Sequence, residues 1–292
     1  MHQLVDCLHS FLRNFLGDDL WNVSLAFWKG FLRQRLGPRQ FRLLKVLPAT
    51  QLADDVYCEI LYSSLDKHPE YEALSYAWGD VKKTSPIFVG NKQYPATTNL
   101  DCALRYIKLR DQDRILWVDS LCINQDDIEE KNHQVRQMRH IYTRARQVLV
   151  WLGEEEDANI ALDHLKRLEK DTSNLECYKA PQEAWDACDA LFYWRDWWTR
   201  TWILQEVIHE RPVLVYMGHL TIELEDLCAK FNAYSKGSTS RVLGQRQLGT
   251  GKTVSERYSW LFKSSRMNSD SANVIQISRQ KSKGGNLSIY CT

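Results

Sequence analysis

Apolar positions change their period several times along this chain, and the changes divide it. In residues 1–36, Leu4, Leu8, Phe11 and Phe15, with Leu12 and Leu16, recur at helical spacing, and Gly17 offers a break. A second run carries Trp21, Leu25, Trp28 and Leu32 and ends near Gly37-Pro38. This predicts an amphipathic helical extension over residues 1–38, packed on the rest or, being rich in Trp and Phe, offered to a membrane surface or a partner. From Phe41 the pattern is that of an α/β protein. FRLLKVLP, VYCEILYSSL, ALSYAWG, IFVGN, ILWVDSLCI, QVLVWLG and PVLVYMG read as strands, and Gly90-Asn91 as a turn. Helices are predicted after Asn99 as cap, over residues 128–145 behind Asp126 or Asp127, and over residues 158–170 and 182–193. Strands alternating with helices predict an α/β domain over residues 41–232, with a mostly parallel sheet flanked by helices. Residues 233–292 are polar, rich in Gly and Ser and weakly periodic, which predicts a flexible tail and suggests a truncated gene product.

Composition narrows the function classes. Hydrophobic residues make up 44%, enough for a sizeable core in one large domain or two small ones. Net charge is +1, which gives no electrostatic reason to expect a nucleic-acid partner. The eight Cys are scattered without a C-x-x-C pair, so neither a metal site nor a disulfide scaffold is expected, and a reducing, cytoplasmic setting is the simplest reading. No run approaches the roughly 18 apolar residues of a transmembrane segment. The N-terminus lacks a basic n-region and carries Asp6 and Arg13, so no secretory signal is expected, and the Asn22 sequon carries no weight.

Candidate chemistry lies where apolar runs meet polar clusters. Residues 71–80 (YEALSYAWGD), 116–125 (LWVDSLCINQ) and 200–207 (RTWILQEV) each make such a junction, and a core has no use for the polar part. Ligands of parallel α/β sheets bind at the carboxyl ends of strands. Gly79 permits a tight turn there, and Tyr76, Trp78 and Asp80 are placed to meet a polar, planar ligand. The plainer alternative is a strand-ending turn with Trp78 in the core. Asp119, Ser120, Asn124 and Gln125 belong on the same edge, unless Asn124 and Asp126 only satisfy loop backbone and cap the next helix. In the third junction Trp198, Trp202 and Glu206 are spaced by four and would share a helical face. Its alternative is a core Trp ridge with Glu206 paired to Arg200 or Arg211.

Two further features carry little. Cys122 reads as a small buried residue, because His133 lies along the following helix, away from the strand end. LGTGKT has Arg246 where a phosphate loop needs its first Gly, with no strand before it.

The three junctions resemble, in order and separation, the signature blocks of the fungal heterokaryon-incompatibility (HET) domain family. The likeness extends through FVGNKQYPATTNLDCALRYI, WVDSLCINQDDIEEKNHQVRQMRHIYTRARQVLVWLG and RDWWTRTWILQEV, and covers about residues 41–227. It implies a fungal protein of nonself recognition and programmed cell death. HET domains are remotely similar to TIR domains, which implies a flavodoxin-like core with helical insertions and cleavage of NAD, as substrate rather than cofactor, at its nicotinamide–ribose bond. LSYAWGD resembles the first TIR strand and its loop; the W-x-x-x-E of Trp202 and Glu206, with VLVYMG after it, resembles the helix of the catalytic glutamate and the next strand. The stretch between these blocks is longer than in TIR domains, so Glu206 alone is carried over as catalytic. Tyr76, Trp78 or Trp202 would then stack on the leaving base, and Asp80, Asp119 and Asn124 would hold ribose hydroxyls. Self-association or an upstream sensor would supply control. The alternative is a non-enzymatic death-signalling adaptor or protein-interaction module.

Overall fold

The computed structural model describes residues 35–170, 180–207 and 209–239. The helical extension expected over residues 1–38 and the tail expected over 233–292 fall almost wholly outside the described residues. Among the described residues nine strands form one sheet: β1 (Gln40–Val46), β2 (Tyr57–Ser64), β3 (Glu72–Tyr76), β4 (Thr84–Val89), β5 (Lys92–Thr97), β6 (Arg114–Trp117), β7 (Gln147–Trp151), β8 (Val213–Met217) and β9 (Leu220–Glu223). Helices are α1 (Thr98–Ile107), α2 (Asp119–Cys122), α3 (Ile128–Arg144), α4 (Ala158–Lys170), α5 (Gln182–Asp189), α6 (Ile203–Val207) and α7 (Leu224–Thr239). None of the described helices is long and apolar enough to cross a membrane.

Spatial order across the sheet is β5-β4-β2-β1-β6-β3-β7-β8-β9. The ladders β6/β3, β3/β7, β7/β8 and β2/β4 are parallel. The ladders β1/β2, β1/β6, β4/β5 and β8/β9 are antiparallel, so the sheet is mixed and not mostly parallel. Connection length explains two of the antiparallel ladders, β4/β5 and β8/β9. Gly90-Asn91 and Gly218-His219 are two-residue links that can only return antiparallel, whereas parallel neighbours need a crossover of a dozen residues or more. Three of the parallel ladders are contiguous: β6, β3, β7 and β8 lie side by side, second-first-third-fourth in chain order. The connection out of β3 runs to one side and the connection out of β6 crosses back over β3. The carboxyl ends of β3 and β7 therefore flank a topological switch point. β3 is buried along its whole length, as a central parallel strand must be.

Local boundaries differ from the pattern in instructive ways. ILWVDSLCI is strand only as far as Trp117, after which Asp119–Cys122 coils into one helical turn. Thr97 caps α1, its Oγ1 accepting from Leu100 N at 3.4 Å, which releases Asn99 for another task. Asp127 caps α3 by accepting from Glu130 N at 3.0 Å. Past Asp189 the helix loosens into a π turn, Ala190–Trp194, and then a 3-10 turn, Asp196–Thr199.

Buried ion pairs tie the elements together. Arg42 of β1 meets Glu130 of α3 at 2.5 and 3.0 Å and donates to Cys122 O at 3.3 Å, while Asn124 N donates to Glu130 Oε1 at 2.8 Å. Arg114 of β6 meets Glu72 of β3 at 2.5 and 3.2 Å and donates to Ile107 O at 2.6 Å. Removing one member of such a pair strands a buried charge, at a cost of about 3–5 kcal/mol.

Candidate functional site

β3 brings a serine hydroxyl into the buried middle of the sheet. Ser75 Oγ donates to Glu206 Oε2, and accepts from Trp197 Nε1 at 2.7 Å and Arg200 Nη1 at 3.2 Å. Arg200 grips the same carboxylate in bidentate fashion, Nη1 to Oε2 and Nη2 to Oε1, each at 2.8 Å. Glu206 is 0% exposed. The local backbone makes this possible. Arg200 is extended, at φ −71° and ψ 143°, between the 3-10 turn and α6, so its guanidinium folds back onto Glu206. That same break overturns the expected continuous helix through RTWILQEV: helix spans only Ile203–Val207, and Trp198, Trp202 and Glu206 do not share one helical face. Trp198 instead turns into the core, its Nε1 donating to Leu191 O at 2.9 Å.

A second carboxylate stands beside this group. Asp119, at the start of α2 and part-exposed, accepts from Trp78 Nε1 at 3.0 Å and from Ser120 N at 2.7 Å. Burial pushes its carboxyl up to about 6; the Arg200 cation opposes the rise and the Glu206 carboxylate adds to it. Tyr76 OH donates to Ser120 Oγ at 2.6 Å, and burial raises its phenol well above the usual range. Lys131, in the first turn of α3, is lowered by burial to about 8, with Asp126 and Asp119 opposing. Gln125 Nε2 donates to Asp119 O at 3.0 Å and so braces the loop.

The three junctions thus meet through Ser75, Tyr76 and Trp78, through Asp119, and through Arg200 and Glu206. Other residues singled out in the sequence sit elsewhere. Asp80 is exposed and accepts from Lys82 N at 3.0 Å, closing a turn. Asn124 Oδ1 accepts from Asp126 N at 3.2 Å, a local loop bond. Trp202 stands half-buried ahead of α6, and no hydrogen bond joins its ring to Glu206. Cys122 is fully buried and its thiol is pushed up to about 12 by burial, so it is no nucleophile.

Next to the cluster, an open cleft of about 680 Å3 lies at the ends of β3 and β7. Ala77, Gly79, Asn99, Gly153, Trp194 and Arg195 are among its lining residues. Asn99 clamps the two strand ends, Nδ2 donating to Ala77 O at 2.5 Å and Oδ1 accepting from Trp151 Nε1 at 3.0 Å. Gly79 takes φ +73°, and a Cβ there would meet Asn99 Cβ at 3.3 Å. Gly153, at φ +118°, leaves room for Arg195, whose Nη1 lies 2.7 Å from where a Cβ would stand. Arg195 pairs with Glu156 at 3.0 Å, and the Trp194 ring at the rim is 69% exposed. Trp197 also lines the cleft and so links it to Ser75. No group of three or more His, Cys, Asp or Glu among the described residues is arranged to hold a metal ion.

Sequence reasoning passed over Ser75, Trp197 and Arg195, and treated Asn99 as a cap. One signal was available: a lone serine inside ALSYAW has no place in a fully buried strand without a polar partner.

Residues 71–206 match the model of a family described as "Heterokaryon incompatibility protein (HET)". That span opens at the threshold of β3 and closes on Glu206, taking in every member of the cluster. The chain is also similar to "Heterokaryon incompatibility protein 6, OR allele" of Neurospora crassa, 38% identical over 164 residues. The alignment covers 51% of this chain and 24% of that protein, so the chain spans about a quarter of the relative's length. No solved structure matches.

Proposed function

We propose, on the premise that this chain belongs to the HET family through residues 71–206, that it acts in fungal nonself recognition and drives cell death from the cytoplasm by cleaving NAD. One observation carries the reading. Two carboxylates and a guanidinium from the second and third junctions meet Ser75 and Trp78 of the first at the carboxyl edge of a parallel core, beside its switch point. The second-first-third-fourth order of β6, β3, β7 and β8 is that of flavodoxin-like sheets and supports the TIR likeness.

The chemistry suits the groups. Nicotinamide is bound to ribose as a cation and leaves neutral, so no general acid is required. The ribose left behind has oxocarbenium character, which a fixed carboxylate stabilises. The adjoining cleft falls within the size range of small-molecule sites. In it, the exposed Trp194 ring offers a stacking surface and Arg195 a cation for a pyrophosphate. Self-association, or docking of an upstream sensor, is the proposed control.

A second reading, the non-enzymatic adaptor, is favoured by the sealing of Glu206 between Arg200 and Ser75. Nicotinamide release from NAD by the purified full chain at high concentration separates the two. The enzymatic reading expects release that Glu206→Ala abolishes. Wild type and variant equally inactive would favour the adaptor, and both equally active would place the chemistry elsewhere.

A further inference from the structure

Glu206 has no face left for a ligand. One oxygen is held by Arg200 and the other by Arg200 and Ser75, and the residue is 0% exposed. A substrate could touch it only by breaking a buried, charge-assisted pair. Asp119 is the opposite case. Each of its oxygens accepts one bond, from Trp78 Nε1 or from Ser120 N, out of roughly four lone-pair positions a carboxylate offers. It is part-exposed, and it opens the helical turn that directly follows β6, next to the end of β3.

We infer that Asp119 is the carboxylate that meets the substrate ribose during bond cleavage, and that Ser75, Trp197, Arg200 and Glu206 are positioning residues that fix its surroundings. The inference rests on the NAD-cleaving reading above. In the step itself the C1′–N bond breaks and its electron pair stays on the ring nitrogen, so nicotinamide departs neutral. The cationic ribose faces ionised Asp119. A water oxygen then bonds to C1′, and the water's proton passes to Asp119 and on to solvent. NAD and water become ADP-ribose, nicotinamide and one proton.

Titratable and charged groups that interact with Asp119 are Tyr76 of β3, Tyr94 of β5, Cys122 of α2, Lys131 and Tyr142 of α3, Arg200 just before α6 and Glu206 within it. With its carboxyl near 6, Asp119 is ionised at neutral pH and protonated below, so the rate should fall on the acid side of about pH 6.

The test is nicotinamide release by the full chain as a function of pH, with NAD as the probe, for wild type, Asp119→Asn, Asp119→Glu and Glu206→Gln. Asp119→Asn should lower kcat by about 100-fold or more with little change in KM, and should lose the acid limb. Asp119→Glu should restore part of the rate and a displaced limb, which also decides the matter if the Asn variant folds poorly. Glu206→Gln should slow the reaction and keep an acid limb, displaced to lower pH because a carboxylate that raises Asp119 is gone. Wild-type rates in Asp119→Asn, with the limb abolished only by Glu206→Gln, would return the contact to Glu206. No release from the wild type would overturn the NAD reading itself, and this inference with it.

Discussion

Arg42–Glu130 and Arg200–Glu206 are both buried bidentate pairs, yet they stand in different company. Around Glu130 the charges balance, one guanidinium against one carboxylate, and the further contacts are neutral groups, among them Cys122 O, Asn124 N and the Tyr62 ring beside Arg42. Around Glu206 they do not. Arg200 must serve Glu206 and also oppose Asp119, whose carboxyl burial and the neighbouring carboxylate hold above its ordinary range. Burial is therefore a poor guide to which pair is functional. The surplus carboxylate is the better one, because a core gains nothing by keeping it, whereas sites that act on ligands often retain a destabilising group.

Stability measurements can break this contrast, since the two clusters should respond with different size and sign. The largest loss is expected from Glu130→Ala, which strands the Arg42 guanidinium in the core. Chemical denaturation should show about 3–5 kcal/mol less stability, and a loss under 1 kcal/mol would mean that the pair does not hold β1 to α3. Glu206→Gln keeps the shape but removes the charge that Arg200 grips. A loss of roughly 1.5–3 kcal/mol is expected from weakening these charge-assisted bonds. A gain on urea denaturation would show that the cluster is strained as a whole.

Asp119→Asn should act in the opposite direction. The folded carboxyl titrates at about 6, above an ordinary unfolded aspartate near 3.9. Its contribution to stability is thus complete below pH 4 and is lost as the pH rises through 6. At pH 7 the Asn variant should be more stable, by on the order of 1–3 kcal/mol. The gap between variant and wild type should close as pH falls from 7 to 4. A variant less stable than wild type at pH 7 would make Asp119 a structural acceptor like Glu130. Asp80→Ala is the smallest expected change, within about 0.5 kcal/mol in thermal melting, because Asp80 is exposed and bonds only its own turn. A larger drop would restore it to the site.

Much of the frame was legible, and where reading failed the cause is local. Strand and helix alternation is visible in apolar period, but strand direction depends on connections. Hairpins at Gly90-Asn91 and Gly218-His219 turn a parallel-looking list of strands into a mixed sheet. The convergence of blocks near residues 75, 119 and 206 could be anticipated from the polar groups that each block could not bury unaided. What remained hidden was the identity of the partners. Spacing by four suggested that Trp198, Trp202 and Glu206 align. The extended backbone at Arg200 breaks that alignment and supplies the guanidinium in its place. Asn99 looked like a cap because it precedes an apolar helical face. Thr97 takes that work, and the amide is free to join Ala77 O to the Trp151 ring.

The most direct test of the central claim is a crystal structure of the full chain with a non-hydrolysable NAD analogue. The account expects the ribose of the analogue within hydrogen-bond reach of Asp119, at the carboxyl ends of β3 and β6, with Arg200 still clasping Glu206. An analogue that opens the Arg200–Glu206 pair to reach Glu206, or that binds away from this edge of the sheet, would contradict it.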